Sequence, residues 1–168
     1  MLGARNPRIR TVSVKASFLQ QVGSMPTSPN LGKSLQNAKL LIVDDDLLSI
    51  KLVQVIFANE GCELLTVASA AEALRVIPTF QPDILLLDVV LPFMSGLDLT
   101  RMLKAREETR SLVVVVVTAS NGPNAERLAR EAGCAAYFRK PIDPLTFAQQ
   151  VAEVWEKERD ARADGRNA

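Results

Sequence analysis

Short apolar runs alternate with amphipathic segments from residue 39 onward. Three of the runs are continuously apolar: Leu40 to Val43, Ile84 to Leu87 and Leu112 to Val117. Such runs are typical of central parallel strands that are buried on both faces. The runs Cys62 to Val67 and Ala135 to Phe138 are more mixed, which favours strands at the edges of a sheet. We therefore expect five strands.

Amphipathic segments between these runs predict five helices. They are Leu47 to Asn59, Ala70 to Ile77, Gly96 to Ala105, Asn124 to Ala132 and Pro144 to Lys157. Gly61 and Gly133 are expected to act as left-handed caps, and Pro144 to lie in a first helical turn. A core-facing stripe is predicted on the last helix: Leu145, Ala148, Val151, Ala152 and Trp155. The order predicts an α/β fold, a doubly wound parallel sheet with helices on both faces.

The chain ends differ from this pattern. Residues 1–37 are rich in Ser, Asn, Gly, Pro and Arg, and we expect a disordered basic extension there. A weak amphipathic helix over residues 8–22 (Ile9, Val12, Leu19, Val22), a transit peptide, or a misassigned start with Met25 as the true initiator are the alternatives. Residues 38–158 form the predicted domain and 159–168 a flexible tail, so no output domain is expected to follow.

The amino-acid composition excludes several classes of functional site. The 168 residues contain two cysteines and no histidine, which excludes a disulfide framework, a histidine-based triad and the usual zinc sites. No apolar stretch approaches the roughly 20 residues of a membrane span, so we expect a soluble, cytoplasmic protein. Residues 1–43 carry six basic and no acidic side chains, against 14 basic and 19 acidic in the remainder. The mildly acidic domain is therefore not expected to bind nucleic acid.

Polar residues follow the predicted strands where function is expected in such a sheet, beyond the carboxyl ends of the strands. They are Asp44, Asp45 and Asp46 after the first strand, Asp88 after the third, Thr118 at the end of the fourth, and Tyr137 and Lys140 on and after the fifth. Crowded carboxylates are tolerated at neutral pH when a cation lies among them. Oxygen ligands alone indicate Mg²⁺, with Mn²⁺ as the alternative.

Together these groups suit a site that holds a phosphoryl group. Lys140 supplies a positive charge and the Thr118 hydroxyl a hydrogen-bond donor. Asp88 stands alone after its strand, which leaves it free to act as a nucleophile, as carboxylates do in aspartyl-phosphate chemistry.

Four motifs carry a resemblance to a known family. They are LLIVDDD (40–46), ILLLDVVLPFMSG (84–96), VVVTA (115–119) and YFRKP (137–141). In this order and spacing the chain resembles, over residues 39 to about 158, the receiver domain of bacterial two-component response regulators. The resemblance implies a flavodoxin-like sheet of order 2-1-3-4-5. It also implies a phosphoacceptor, Asp88, and a magnesium site made by Asp44, Asp45, Asp88 and the backbone carbonyl of Val90.

By the same resemblance Lys140 pairs with the phosphoryl group, while Thr118 and Tyr137 form the switch that reports it. The expected function is that of a stand-alone response regulator of the chemotaxis or cell-cycle kind, a signalling domain rather than an enzyme. A histidine kinase or phosphotransfer protein would donate the phosphoryl group. The surface of the fourth helix, fifth strand and fifth helix would then bind a downstream protein or a second copy.

Val90 and Ser120 depart from the best-known members of the family. In the family these two positions modulate the access of water to the acyl phosphate. An apolar Val90 cannot position that water, so we expect a phosphorylated form that lives longer than those of chemotaxis regulators.

Two other functions are retained as alternatives. A receiver fold can act as a docking module without phosphorylation. A haloacid-dehalogenase-type phosphatase would use Asp44 and Asp46 as its Asp-x-Asp pair, with Thr118 and Lys140, but it lacks a later acidic pair and leaves Asp88 unexplained.

Several residues are expected to be structural. Asp46 at a helix start is interpreted as an N-cap favoured by the helix dipole. Cys62 and Cys134 would lie at opposite edges of the sheet, roughly 19 Å apart, which is too far for a disulfide. Trp155 is interpreted as a core anchor.

Overall fold

Residues 35–165 are described by the structure, a computed structural model, and within them five strands alternate with five helices. The elements are β1 (Lys39–Val43), α1 (Leu47–Phe57), β2 (Glu63–Val67), α2 (Ala70–Phe80), β3 (Ile84–Leu87), α3 (Gly96–Lys104), β4 (Val113–Thr118), α4 (Ala125–Glu131), β5 (Ala136–Arg139) and α5 (Phe147–Ala163). All strand pairs are parallel and their order is β2-β1-β3-β4-β5. The predicted fold class and strand order are confirmed.

Each central strand buries side chains on both faces of the sheet. In β1, Leu40 and Ile42 pack in the core beneath α1 and α5. Their neighbours Leu41 and Val43 pack in the core beneath α2, α3 and α4. Because alternate residues of a strand point to opposite faces, a sheet covered on both sides requires the continuous apolar runs of this sequence.

The register of the strands places their carboxyl ends together. Val43 pairs with Leu87, so Asp44 and Asp88 follow adjacent strands at the same level. The Asp88 amide donates to the Val43 carbonyl at 2.9 Å. Nearer the β5 edge of the sheet, the Lys140 amide donates to the Thr118 carbonyl at 2.9 Å. Asp44, Asp88 and Thr118 therefore lie at the ends of three neighbouring strands, β1, β3 and β4. They meet Lys140, which follows β5, at one rim of the sheet.

Several element boundaries differ from the prediction by one to three residues. Strands β2, β4 and β5 begin one residue later than predicted, and β4 and β5 extend to Thr118 and Arg139. Helix α2 continues through Pro78 to Phe80, and Gln81 ends it in a left-handed conformation with its amide bonded to the Ile77 carbonyl at 2.8 Å. The bond from Gln81 closes the final turn despite the proline, so the helix does not stop at Ile77.

The prediction for α5 was wrong at both ends. Pro144 lies in a turn before the helix, where Asp143 accepts hydrogen bonds from the Leu145 amide and the Thr146 hydroxyl. Leu145 is 60% exposed and does not belong to the core stripe. The helix runs to Ala163, beyond the predicted end of the domain at residue 158, since the sequence there is rich in good helix formers.

The rest of the predicted stripe is confirmed. Ala148, Val151 and Ala152 are buried, and Trp155 packs half-buried against the same core. Phe147, fully buried, makes edge-to-face contacts with Phe57 and Phe138. These contacts anchor α5 on the sheet beside α1.

Gly133 takes a positive φ of 98° directly after α4. The following Cys134 amide donates to the Ala129 carbonyl at 3.0 Å, which is the bond of a left-handed helix cap, as predicted. Gly61 also has a positive φ, 71°, but α1 ends at Phe57 with Ala58 as its cap residue, so the prediction that Gly61 caps this helix was wrong. The two cysteines, Cys62 and Cys134, are free thiols.

The folded part begins earlier than the predicted boundary at residue 38. Leu35 is fully buried in the core beneath α1 and α5, and the Asn37 amide bonds to the Gly61 carbonyl at 3.0 Å. The remainder of the predicted extension, with the helix proposed for residues 8–22 and the alternative start at Met25, lies outside the described residues. So do residues 166–168 of the predicted tail. Across residues 35–165, no helix combines the length and apolar character that crossing a membrane requires.

Candidate functional site

Asp88 is the centre of a hydrogen-bonded network at the carboxyl ends of the strands. Its Oδ1 accepts from the Thr118 hydroxyl at 2.7 Å and from the Val90 amide at 2.9 Å. Its Oδ2 accepts from Lys140 Nζ at 2.8 Å. Asp88 is 8% exposed and Thr118 is fully buried. The carboxylate is therefore oriented by three donors that come from three different segments of the chain.

Lys140 also holds a second carboxylate. Its Nζ lies 2.7 Å from Asp44 Oδ2, and the other Asp44 oxygen accepts from the Asp46 amide at 2.8 Å. Asp44 is buried as well, with 6% exposure. Two carboxylates thus share one ammonium group, which leaves an uncompensated negative charge at the site.

Burial and ion pairing act in opposite directions on these groups. Burial raises the pKa of Asp44 above its ordinary value, and the hydrogen bond from Lys140 offsets this effect only in part. For Lys140, burial by itself lowers the pKa, but the hydrogen bonds to Asp44 and Asp88 outweigh it, so its pKa is raised. The ammonium is therefore retained at neutral pH.

The other two acids of the first motif do not join this network. Asp46 caps α1 as predicted, accepting from the Leu48 and Ser49 amides and from the Ser49 hydroxyl. These hydrogen bonds, the Ser49 hydroxyl first among them, lower the pKa of Asp46. Asp45 is exposed. The structure thus brings together Asp44, Asp88, Thr118 and Lys140 of the predicted site.

The donor set at this rim fits a small divalent cation in its chemistry. Mg²⁺ prefers oxygen ligands, and the residues present offer the carboxylates of Asp44, Asp45 and Asp88 and the backbone carbonyl of Val90. The negative charge left by the shared ammonium favours a second cation. Within residues 35–165, however, no three His, Cys, Asp or Glu side chains converge on one point suited to a metal ion. The exposed Asp45 side chain would have to turn inward to join the other two.

A chain of hydrogen bonds connects Asp88 to Tyr137. The Thr118 hydroxyl donates to Asp88 and accepts from the Ser120 amide at 3.2 Å. The Ser120 carbonyl in turn accepts from the hydroxyl of Tyr137, which is half-buried on β5. The acceptor role of Ser120 could not be read from the sequence because it uses a backbone oxygen.

The loop after Asp88 depends on Gly96, which was predicted only as the first residue of a helix. A Cβ atom at this position would lie 2.2 Å from the Asp88 carbonyl oxygen. The Gly96 amide also donates to the Val89 carbonyl at 2.9 Å, which closes the loop onto the end of β3. The signal in the sequence was the glycine at the start of a predicted helix, where it lowers helix propensity.

In the same loop Phe93 adopts a φ of 68° and is fully exposed. A bulky residue in this left-handed region is strained, and such strain is found most often near functional sites. Nothing in the sequence distinguishes Phe93 from an ordinary core aromatic.

Comparisons with known proteins agree with this geometry. Residues 40–152 match the family described as the response regulator receiver domain. The chain is 37% identical over 112 residues to the polar-differentiation response regulator DivK of Brucella ovis, covering 67% of this chain and 91% of that protein. DivK of Brucella anthropi is 35% identical over the same length.

Solved structures show the same fold. A CheY-like response regulator receiver domain protein from Methanospirillum hungatei superposes with a TM-score of 0.67 at 27% identity, covering 74% of this chain and 98% of that one. The chemotaxis response regulator CheY4 of Vibrio cholerae has a TM-score of 0.66 at 24% identity, covering 71% and 99%. With a family match over more than half of its length, the chain belongs to the response regulator receiver domain family.

Proposed function

We propose that Asp88 accepts a phosphoryl group from the phosphohistidine of a histidine kinase or phosphotransfer protein. The observation that carries this proposal is the position of Asp88 between the Thr118 hydroxyl and the Lys140 ammonium, at 2.7 and 2.8 Å. These are the two donors that a new phosphoryl group on Asp88 would need. Membership in a family of signalling domains supports the same function.

The transfer is a displacement at phosphorus. An Asp88 carboxylate oxygen forms the new P–O bond while the P–N bond to the histidine breaks, and the electron pair of that bond stays on the imidazole. Lys140 stabilises the negative charge on the phosphoryl oxygens. Asp88 lines the cleft between α1 and the segment after β5, and we propose that a donor approaches the carboxylate from this cleft.

Asp44, Asp45, Asp88 and the Val90 carbonyl are the residues proposed to hold Mg²⁺, with Mn²⁺ as the alternative ion. When bound, the ion neutralises charge on the phosphoryl group and on the acidic rim. The oxygen-only donor set and the excess negative charge beside Lys140 support this assignment.

Phosphorylation is proposed to change the surface formed by α4, β5 and α5. The Thr118 hydroxyl that now donates to Asp88 would donate to a phosphoryl oxygen instead. Since Thr118 also accepts from the Ser120 amide, its movement would disturb the Ser120 carbonyl that holds Tyr137. One or two charge-assisted hydrogen bonds supply the few kcal/mol that shift a two-state equilibrium. A downstream protein or a second copy would bind the altered surface.

The proposal is tested by the mass of the intact chain after incubation with acetyl phosphate and Mg²⁺. The native chain is expected to gain one phosphoryl group and Asp88→Asn to gain none. Asp46→Asn is the matched control, because Asp46 caps α1 outside the network and this variant should still be labelled. A native chain that folds normally and gains no label would contradict the proposal and favour a docking module.

The phosphatase alternative predicts different results. It requires release of phosphate from a phosphomonoester that Asp44→Asn abolishes and Asp88→Asn leaves unchanged. The geometry disfavours the phosphatase. Both carboxylate oxygens of Asp46, the second acid of its motif, accept hydrogen bonds from the first turn of α1.

A further inference from the structure

Helix α1 is apolar on its outer as well as its inner side. Ile50, Val53 and Phe57 face the core, and Lys51 is the only charged residue of the helix. The outer side exposes Leu47, Leu48, Leu52 and Val55, at 63%, 74%, 40% and 59%, with Lys51 exposed among them. A helix with apolar residues on its exposed as well as its buried side is typical of one covered by a partner. The outer side of α1 is therefore a surface that another segment would cover favourably.

An apolar cleft continues this surface toward the site. It has a volume of about 430 Å³ and lies between α1 and the segment after β5. Its apolar wall includes Leu48, Leu52, Pro141 and Ile142, and the side chains of Asp44 and Asp88 lie at its polar end. We call the cleft together with Leu48, Leu52 and Val55 the α1 groove. Leu48, Leu52 and Val55 are separated by four and then three residues, so they lie on one side of α1. A second helix laid along α1 would contact all three.

We propose that the α1 groove binds residues 8–22 of the same chain. This segment lies outside the described residues, but its sequence places Ile9, Val12, Leu19 and Val22 along one side of a predicted helix. An amphipathic helix of this kind recognises an apolar groove through such regularly spaced anchors. The inference concerns binding within the chain and does not depend on phosphotransfer.

Charge favours this occupant. Residues 1–34 contain five basic side chains and no acidic one: Arg5, Arg8, Arg10, Lys15 and Lys33. The polar end of the groove carries the carboxylates of Asp44, Asp46 and Asp88 against the single ammonium of Lys140. Opposite charges on the two partners steer the segment to this end of the groove and fix its orientation.

The chain between residue 22 and Leu35 is long enough for residues 8–22 to reach the α1 groove. Leu35, where the described residues begin, is buried in the same core layer that α1 covers. An 11-residue helix such as α1 is about 16 Å long, whereas the chain from Val22 to Leu35 can span up to about 45 Å. Because the segment is tethered, its effective concentration reaches the millimolar range, and a modest affinity is sufficient for docking.

Docking would cover the exposed leucine and valine side chains of the α1 groove and remove their apolar surface from water.

Methyl NMR on the full chain tests the inference directly. With labelled Leu and Val methyl groups, we expect nuclear Overhauser contacts between Val12 or Leu19 and the side chains of Leu48, Leu52 or Val55. The double substitution Val12→Asp with Leu19→Asp should abolish these contacts and shift the Leu48 and Leu52 resonances. Val14→Asp is the matched control, since residue 14 lies on the opposite side of the predicted helix and the variant should leave the contacts in place.

Buried Val115 provides the reference for folding, and its resonances should not move in any variant. The inference is overturned if the contacts are absent in the native chain, or if Val14→Asp removes them as fully as the double substitution. It is also overturned if the Leu48 and Leu52 resonances change with protein concentration, because a second copy would then cover the groove. None of these results bears on whether Asp88 is phosphorylated.

Discussion

Lys140 Nζ lies 2.8 Å from Asp88 Oδ2, although the two residues are 52 positions apart in the chain. The same ammonium lies 2.7 Å from an oxygen of Asp44, 96 positions away. One side chain thus pairs with the carboxylates that follow two adjacent strands. Removing Lys140 would leave two buried carboxylates without their cation, and removing Asp44 would leave the ammonium with one carboxylate partner instead of two.

Lys140→Met is expected to slow phosphorylation by acetyl phosphate roughly a hundredfold, the usual cost of losing a group that stabilises developing negative charge. Methionine keeps most of the volume of the side chain and removes its charge and its hydrogen-bond donors. The rate is measured by intact mass against time. Lys157→Met, at an exposed position of α5, is the control and should react at the native rate. A Lys140→Met chain with native kinetics would show that the ammonium does not act on the phosphoryl group.

Asp44→Asn is expected to lower the pKa of Lys140 by removing one of the two carboxylates that raise it. A lysine with a raised pKa stabilises the fold fully below its unfolded value of about 10.4, and this stability is lost as pH rises through the folded pKa. In Asp44→Asn the folded pKa lies closer to the unfolded value, so this loss should be smaller and complete at a lower pH. NMR titration of the lysine side chain measures the pKa, and Asp98→Asn on the exposed side of α3 should not change it. Equal Lys140 titration curves for the native chain and Asp44→Asn would refute the coupling.

Gly96→Ala is expected to destabilise the chain by about 1–3 kcal/mol, as overpacking against a rigid neighbour does. The added methyl group would meet the Asp88 carbonyl oxygen, a backbone atom that can move only with β3. Gly122→Ala is the control because nothing lies within 4 Å of its added methyl group, and its effect should stay within about 0.5 kcal/mol. Urea unfolding measures both. Similar midpoints for the two variants would contradict the close approach.

Val90→Asn is expected to shorten the life of the phosphorylated form. Val90 is 64% exposed, two residues after the proposed phosphoacceptor Asp88, and its side chain has no group that positions water. An amide can hold a water molecule by hydrogen bonds. Loss of label from the Mg²⁺-loaded protein gives the rate, and Val90→Ala, which stays apolar, should keep the native lifetime. An unchanged rate in Val90→Asn would discard the hypothesis that Val90 prolongs phosphorylation.

The strands could be predicted well because their signal is local. A run such as Ile84 to Leu87 is apolar at every position and too short for a helix, which is the pattern of a strand covered on both faces. The two ends of α5 could not be predicted in this way. Pro144 and Leu145 suited a helix start by composition, yet Asp143 bonds to the next residues and organises a turn there instead.

The sequence by itself determined the order of the elements, the sheet, and the placement of Asp44, Asp88, Thr118 and Lys140 after strands that end at one rim. It did so because periodicity and strand ends are properties of neighbouring residues.

Only the tertiary structure decided which partners the side chains and backbone of these residues contact. It directs Asp44 inward to Lys140, leaves Asp45 exposed, commits Asp46 to α1 and brings Gly96 against the Asp88 backbone. Three consecutive aspartates are chemically identical in the sequence. Their roles diverge because each side chain leaves the backbone in a different direction, toward partners that lie far away along the chain.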